Sequence, residues 1–175
     1  IFFKETCMHK VYGNYPANYQ IQTTACRGVQ KECSKSLAIV NETLYYKARS
    51  GICAYDGSLP IEISSALGET NYSNAVAGAL NNKYYISMMD EDEIYHLFVY
   101  DTLKGMWHRE DNTHVLEFCT NRGNLYYVDD YDRDIKSVRP FTDLQPNDGR
   151  VNEFLPIKWE AVTGIFGTDS PDKKY

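Results

Sequence analysis

The run DDYDRD places Asp130, Asp132 and Asp134 at alternate positions. Oxygen ligands at every second residue open a calcium loop, where carboxylates converge on a hard cation. The turn glycine and the closing bidentate glutamate of such a loop are missing here. A solvated acidic hairpin is therefore the preferred reading, with calcium as the alternative. A second cluster lies in HREDNTH, where His108 and His114 flank Glu110 and Asp111. A general base needs a shaped pocket and a partner within hydrogen-bond reach; the spacing shows neither, so a polar turn is expected. No G-x-S-x-G elbow and no phosphate-cradling glycine loop occurs. The five cysteines, Cys7, Cys26, Cys33, Cys53 and Cys119, are odd in number and contain no Cys-x-x-Cys pair. A secreted disulfide framework is usually even and denser, and a zinc site has closer pairs. Free thiols are expected, several of them buried in apolar strands, in a reducing compartment. No catalytic residue, cofactor or metal is expected, and the chain reads as a non-enzyme.

The elements that carry these residues repeat. Tyr45-Tyr46, Tyr84-Tyr85 and Tyr126-Tyr127 each follow a turn, in VNET, LNNK and NRGN, with first tyrosines 39 and 42 residues apart. A near-constant period of this length marks a repeat architecture. Each turn follows a short apolar run: SLAIV, AVAGAL and HVLEFC. A third run comes after each pair, and two of these end in Tyr-Asp, at Tyr55-Asp56 and Tyr100-Asp101. A fourth comes next in the first two repeats, as LPIEIS and GMWHRE. The pattern predicts an all-β chain of β-propeller-type blades, each of four antiparallel strands. The repeats are placed near residues 35–64, 74–111 and 113–140. With the two ends, a partial or small propeller of about three to four blades results. Residues 1–150 form the blades; residues 151–175 either supply closing strands or begin a further β domain. A strand covered on both faces suits tyrosine, which is large, flat and polar at one end. Tyr45, Tyr84 and Tyr126 are accordingly expected at equivalent places, with Leu44, Ile52, Ile86, Phe98, Leu125 and Val128 in the layers between blades. Tyr55 and Tyr100 form the second repeated feature.

The bulk numbers agree with a folded β domain. Of 175 residues 15 are tyrosine, and that residue favours half-buried pleated surfaces. The net charge of -6 and the scattered lysines and arginines argue against tight DNA binding, which needs a basic stripe along the phosphates. The dense charge runs are acidic, DEDE at residues 90–93 and DDYDRD at 129–134, and both fall on the expected hairpin between second and third strands. No apolar run is long enough to span a membrane. Two sequons, Asn41-Glu-Thr and Asn71-Tyr-Ser, are triplets of a kind that arises by chance. The opening at Ile1 reads as a cut from a longer polypeptide.

FFKETCMHKVYGNYP and then GVQKECSKSLAIVNETLYYKARSGICAYDGSLPIEIS together resemble a recurrent pattern of tailed-phage and prophage structural proteins. In that pattern a strand near G-x-x-P is succeeded by G-x-x-x-x-S, a turn, LYY, and GI-x-x-YDG-x-x-P-x-x-IS. The stretch from Trp159 to Tyr175 is similar to the segment after the propeller in such proteins, where a new β domain begins. Relatives of this kind include propeller-bearing tail nozzle and tail-stabilisation proteins of short-tailed phages. The resemblance implies a non-enzymatic structural component of a tail or head–tail region, assembled in a bacterial host cytoplasm and carried in the virion. Its partners would be other virion proteins, with a homo-oligomeric ring as one arrangement. The alternative is a carbohydrate- or receptor-binding module that stacks Trp107, Trp159 and exposed tyrosines on a host-surface glycan.

Overall fold

The computed structural model describes residues 1–138. The chain divides into two compact units, Ile1–Phe141 and Thr142–Tyr175, and the description concerns the first. Trp159, the expected strands in residues 151–175 and the end of the third repeat lie outside the described residues.

The described chain is all-β, with only single 3-10 turns between strands. Four antiparallel sheets succeed one another without crossovers. Sheet 1 contains β1 (Phe2–Phe3), β2 (Cys7–Tyr12) and β3 (Gln20–Ala25). Sheet 2 contains β4 (Ala38–Val40), β5 (Thr43–Lys47), β6 (Ile52–Tyr55) and β7 (Ile61–Glu62). Sheet 3 contains β8 (Ser73–Leu80), β9 (Lys83–Met89), β10 (Tyr95–Asp101) and β11 (Met106–Asp111). Sheet 4 contains β12 (Val115–Asn121), β13 (Asn124–Asp129) and β14 (Ile135–Ser137). Sheets 2, 3 and 4 are the three expected repeats. The N-terminal strands make a three-stranded sheet of their own, and the stretch SALGETNYS forms a 3-10 turn and a loop leading into β8.

The first hairpin of each repeat is a two-residue turn, with Val40 opposite Thr43, Leu80 opposite Lys83 and Asn121 opposite Asn124. Positive φ at Asn41 and Glu42, at Asn81, and at Arg122 and Gly123 gives these turns the twist that a tight hairpin needs. The turns correct one expectation. Counted from each turn, Tyr45 is equivalent to Tyr85 and Tyr126, whereas Tyr84 is equivalent to Leu44 and Leu125. The middle tyrosine pair is slipped by one residue, which exchanges the faces its two rings occupy. The slip is tolerated because β9 is covered on both sides, so either face accepts a ring.

Three layers stack the sheets. Met8, Tyr46, Cys53 and Tyr55, with Phe3 and Leu44, fill the space between sheets 1 and 2. Val40, Tyr45, Ile52, Tyr84, Ile86, Met88 and Phe98 fill the space between sheets 2 and 3. Leu80, Tyr85, Val99 and Leu125, with Phe118, fill the space between sheets 3 and 4. Gly78 permits this last approach: a methyl there would lie 2.8 Å from Phe118 Cβ. Tyr126 and Val128 depart from expectation. Leu125 is buried against sheet 3, so strand alternation turns Tyr126 and Val128 to the opposite face, where they are half-buried. Near the first strands, Lys35 reaches past sheet 3 to sheet 4, with Nζ 2.6 Å from Glu117 Oε2 and donating to Leu116 O at 3.2 Å. Sheets that stack in series and gather at their first strands make a small propeller-like arrangement.

Candidate functional site

The repeated aromatic residues are placed by packing. Tyr84 is fully buried in β9, and its hydroxyl donates to Ser36 O at 2.7 Å. Its ring lies 5.3 Å from that of Tyr45 across the sheet 2–3 layer. Tyr46 donates to Arg27 O at 2.6 Å across the sheet 1–2 layer. Burial pushes the Tyr84 and Tyr46 phenols up, because the phenolate would lose its water. Tyr55 and Tyr100 are equivalent: Tyr55 pairs with Leu44 and Tyr100 with Tyr84, and each ring faces the preceding sheet. The aspartate after each one organises the next turn. Asp56 Oδ1 accepts from Ser58 N, and Asp101 Oδ1 accepts from Leu103 N. The Tyr-Asp motif is thus a packing ring joined to a turn former. Trp107 is also engaged, donating from Nε1 to Ile63 O at 2.8 Å with its ring 4.9 Å from Tyr100.

The hairpins between second and third strands share one position in neighbouring sheets, and their charges differ. In sheet 3, Asp90 turns back onto the strand pair: Oδ2 meets His96 Nε2 at 2.6 Å, and Oδ1 accepts from Ile94 N and Asp92 N. These bonds, led by the one from His96, hold the Asp90 carboxyl below its ordinary range. His96 is buried between Tyr72 and Phe98, and its Nδ1 has no hydrogen-bond partner among the described residues. This geometry assigns the proton to Nε2. In sheet 4, Lys136 bridges Asp129 at 2.6 Å and Asp132 at 2.8 Å. Asp130 meets Arg133 at 2.7 Å and His114 at 3.0 Å. Bonds to Asp129 and then Asp132 raise the Lys136 ammonium, and the bond from Lys136 lowers the Asp132 carboxyl. Asp134 lends its backbone N–H to Asp132 Oδ1. Asp129, Asp130 and Asp132 are therefore already paired with basic side chains of the chain itself, while Asp134 contributes backbone bonds. The other candidate cluster is divided: His108 pairs with Glu110 at 3.2 Å, while His114 stacks on Tyr95 at 3.5 Å.

The corresponding hairpin of sheet 2 is basic. Lys47 ends β5 on the face of Tyr45 and is buried. Its Nζ donates to Ala48 O at 2.6 Å and Gln30 Oε1 at 2.8 Å, both uncharged. Burial lowers its pKa. A cavity of about 20 Å³ beside it is lined by Lys47, Arg49, Ser50, Ser64, Thr70 and Asn71 among others. An open groove of about 620 Å³ continues past Arg49, Ser50 and Asn71 to Thr6 and Arg27. Sequence reasoning missed both Lys47 and His96. The available signal was strand alternation, which places Lys47 on the face of Tyr45 and His96 on the face of Phe98.

The buried thiols Cys33 and Cys53 sit in the layers, and burial pushes Cys53 up to about 11. The sequon amides are hydrogen-bonded, Asn41 to Asn82 and Asn71 to Glu91. Among the described residues no helix is long and apolar enough to cross a membrane. Comparison with protein-family models, curated proteins and solved structures found no match.

Proposed function

We propose that the protein is a non-enzymatic structural component of a phage or prophage tail or head–tail region, acting as a rigid propeller segment that docks neighbouring virion proteins. The observation that carries this reading is the use of its repeated aromatic residues. Tyr45, Tyr46, Tyr55, Tyr84, Tyr100 and Trp107 all lie in inter-sheet layers, so they build stiffness and leave no stacking platform. The ordered motifs of the sequence resemblance supply the virion context. Docking would use the outer sheet faces, where Phe2 and Ile21 of sheet 1 are exposed. Other tail proteins or further copies in a ring are the proposed partners, and the virion is the proposed location. Mass spectrometry of particles purified after induction of the host prophage tests the reading. Recovery of the chain at stoichiometry with tail proteins is expected; its absence from particles while it is abundant in the lysate contradicts the reading.

A second reading, a glycan- or receptor-binding module, draws on Tyr12, Tyr15 and Tyr19, which are exposed together around the β2–β3 connection. Amphipathic rings with one wet edge suit sugar stacking. A glycan array separates the two readings, since saturable binding lost in Tyr15→Ala and Tyr19→Ala favours the second.

A further inference from the structure

We propose that the second-to-third-strand hairpin of sheet 2 is a binding site for a small anionic group, a carboxylate or a phosphate, with Lys47 and Arg49 as its cationic ligands. The inference stands apart from the virion reading and does not require it.

Lys47 presents the anomaly. Its side chain is only 3% exposed, yet no acidic group lies within 4 Å of it among the described residues. Two of its three hydrogens go to neutral oxygens, Gln30 Oε1 and Ala48 O. A buried ammonium is ordinarily paired with a negative charge, because desolvation is costly without one. The nearest acid of sheet 2, Glu62, is already engaged by Arg27 at 3.4 Å and by Ser50 at 3.2 Å.

Arg49 supplies a second cation. It is exposed on the same hairpin and has no ion pair among the described residues. Its guanidinium offers a planar fork that suits a two-oxygen anion. Lys47 and Arg49 line one cavity, and the hydroxyls of Ser50, Ser64 and Thr70 stand in its wall. The cavity of about 20 Å³ has room for roughly one water-sized group. A single anionic oxygen therefore enters, while the body of the ligand lies in the adjoining groove. The Thr6 and Ser50 hydroxyls and the Arg27 guanidinium stand along that groove beside the carboxylate of Glu5, whose Oε1 accepts from Lys31 N; the hydroxyls suit a hydroxyl-rich carrier such as an acidic sugar.

The test is a thermal-shift and calorimetric titration of the intact chain with sodium glucuronate, inorganic phosphate and glucose, with potassium chloride matched for ionic strength. Saturable stabilisation by glucuronate, phosphate or both is expected, with none from glucose beyond the salt control. Glucuronate alone would indicate a carboxylated glycan, and phosphate alone a phosphoryl group. Arg49→Gln should weaken binding by about tenfold or more, as loss of a charge-assisted contact does. Lys47→Met should abolish binding while raising the melting temperature of the ligand-free protein, because it removes the unpaired charge and keeps the stem. That pairing separates a ligand-binding lysine from a structural one, whose loss lowers the melting temperature. Failure of both anions to exceed the salt control would overturn the proposal, as would unchanged binding by Lys47→Met.

Discussion

Sheets 3 and 4 carry nearly the same local pattern: a first strand, a two-residue turn, a Tyr-Tyr pair and an acidic hairpin. Their surroundings differ. Sheet 3 has sheet 2 on one face and sheet 4 on the other, so Tyr84 and Tyr85 are both buried. Sheet 4 packs on sheet 3 through Leu125 and Phe118, and Tyr126 on its other face stays half-buried. The acidic hairpins diverge in the same way. Asp90 in sheet 3 closes on a buried histidine, whereas the aspartates of sheet 4 meet exposed or half-exposed cations. The same residue pattern is thus a core element in one sheet and a surface element in the next. Among the described residues sheet 3 has a neighbour on both faces and sheet 4 on one, and burial follows that difference.

The sharpest way to break the comparison is to delete the two rings. Tyr85→Ala, at the position equivalent to Tyr126, should cost about 3–5 kcal/mol, the usual range for removing a large buried aromatic. Tyr126→Ala should cost under about 1 kcal/mol, as half-exposed positions do. Urea unfolding of both variants measures the difference, and equal losses would remove the distinction between the sheets. Next in size is Gly78→Ala, which forces a methyl against Phe118 and should cost about 1–3 kcal/mol by overpacking. Most of that loss should vanish in the Phe118→Ala background, because the clash is with that ring. Tyr84→Phe should cost about 1 kcal/mol, since it removes one hydrogen bond to Ser36 O and keeps the ring.

Two pH effects are smaller, and in both stability rises with pH across the window of the group. The Asp90 carboxyl is lowered from 3.8, so its contribution is complete above that value and is lost as pH falls through the lower folded pKa. Asp90→Asn should flatten this part of the acid limb of a stability–pH curve. Lys47 is lowered from 10.5, so the unfolded chain binds more protons between the folded pKa and 10.5. Stability from this group therefore rises with pH in that window. The difference in stability between Lys47→Met and wild type should shrink as pH approaches 10.5, read by urea midpoints at several pH values.

Much of the fold was legible in the sequence. Turns at Asn41, Asn81 and Arg122, with apolar runs on either side, are short-range signals, and they mark out the strands of sheets 2, 3 and 4. The one-residue slip at Tyr84 was not legible, because two adjacent tyrosines look alike in either register and only the strand pairing distinguishes them. The partial exposure of Tyr126 was hidden for a related reason. Sequence reports which residues suit a covered face, while the cover itself is a long-range fact. At the site, the acidic runs were visible as charge, yet their partners Lys136, Arg133 and His96 depended on hairpin geometry. Lys47 was hidden because one lysine at a strand end reads as solvated until its surroundings are seen.

The central claim is that the repeated tyrosines of sheets 2 and 3 are packing residues held inside inter-sheet layers. Spectrophotometric titration of phenol ionisation, monitored alongside circular dichroism, tests it most directly. Of the 15 tyrosines, Tyr45, Tyr46, Tyr84, Tyr95 and Tyr127 are pushed up by burial. A buried phenol resists ionisation until the fold opens. The expected result is a first reversible step that leaves a set of phenols protonated, then a second step that coincides with loss of the β signal. Ionisation of all 15 in one reversible step at about pH 10, with the β signal intact, would contradict the claim.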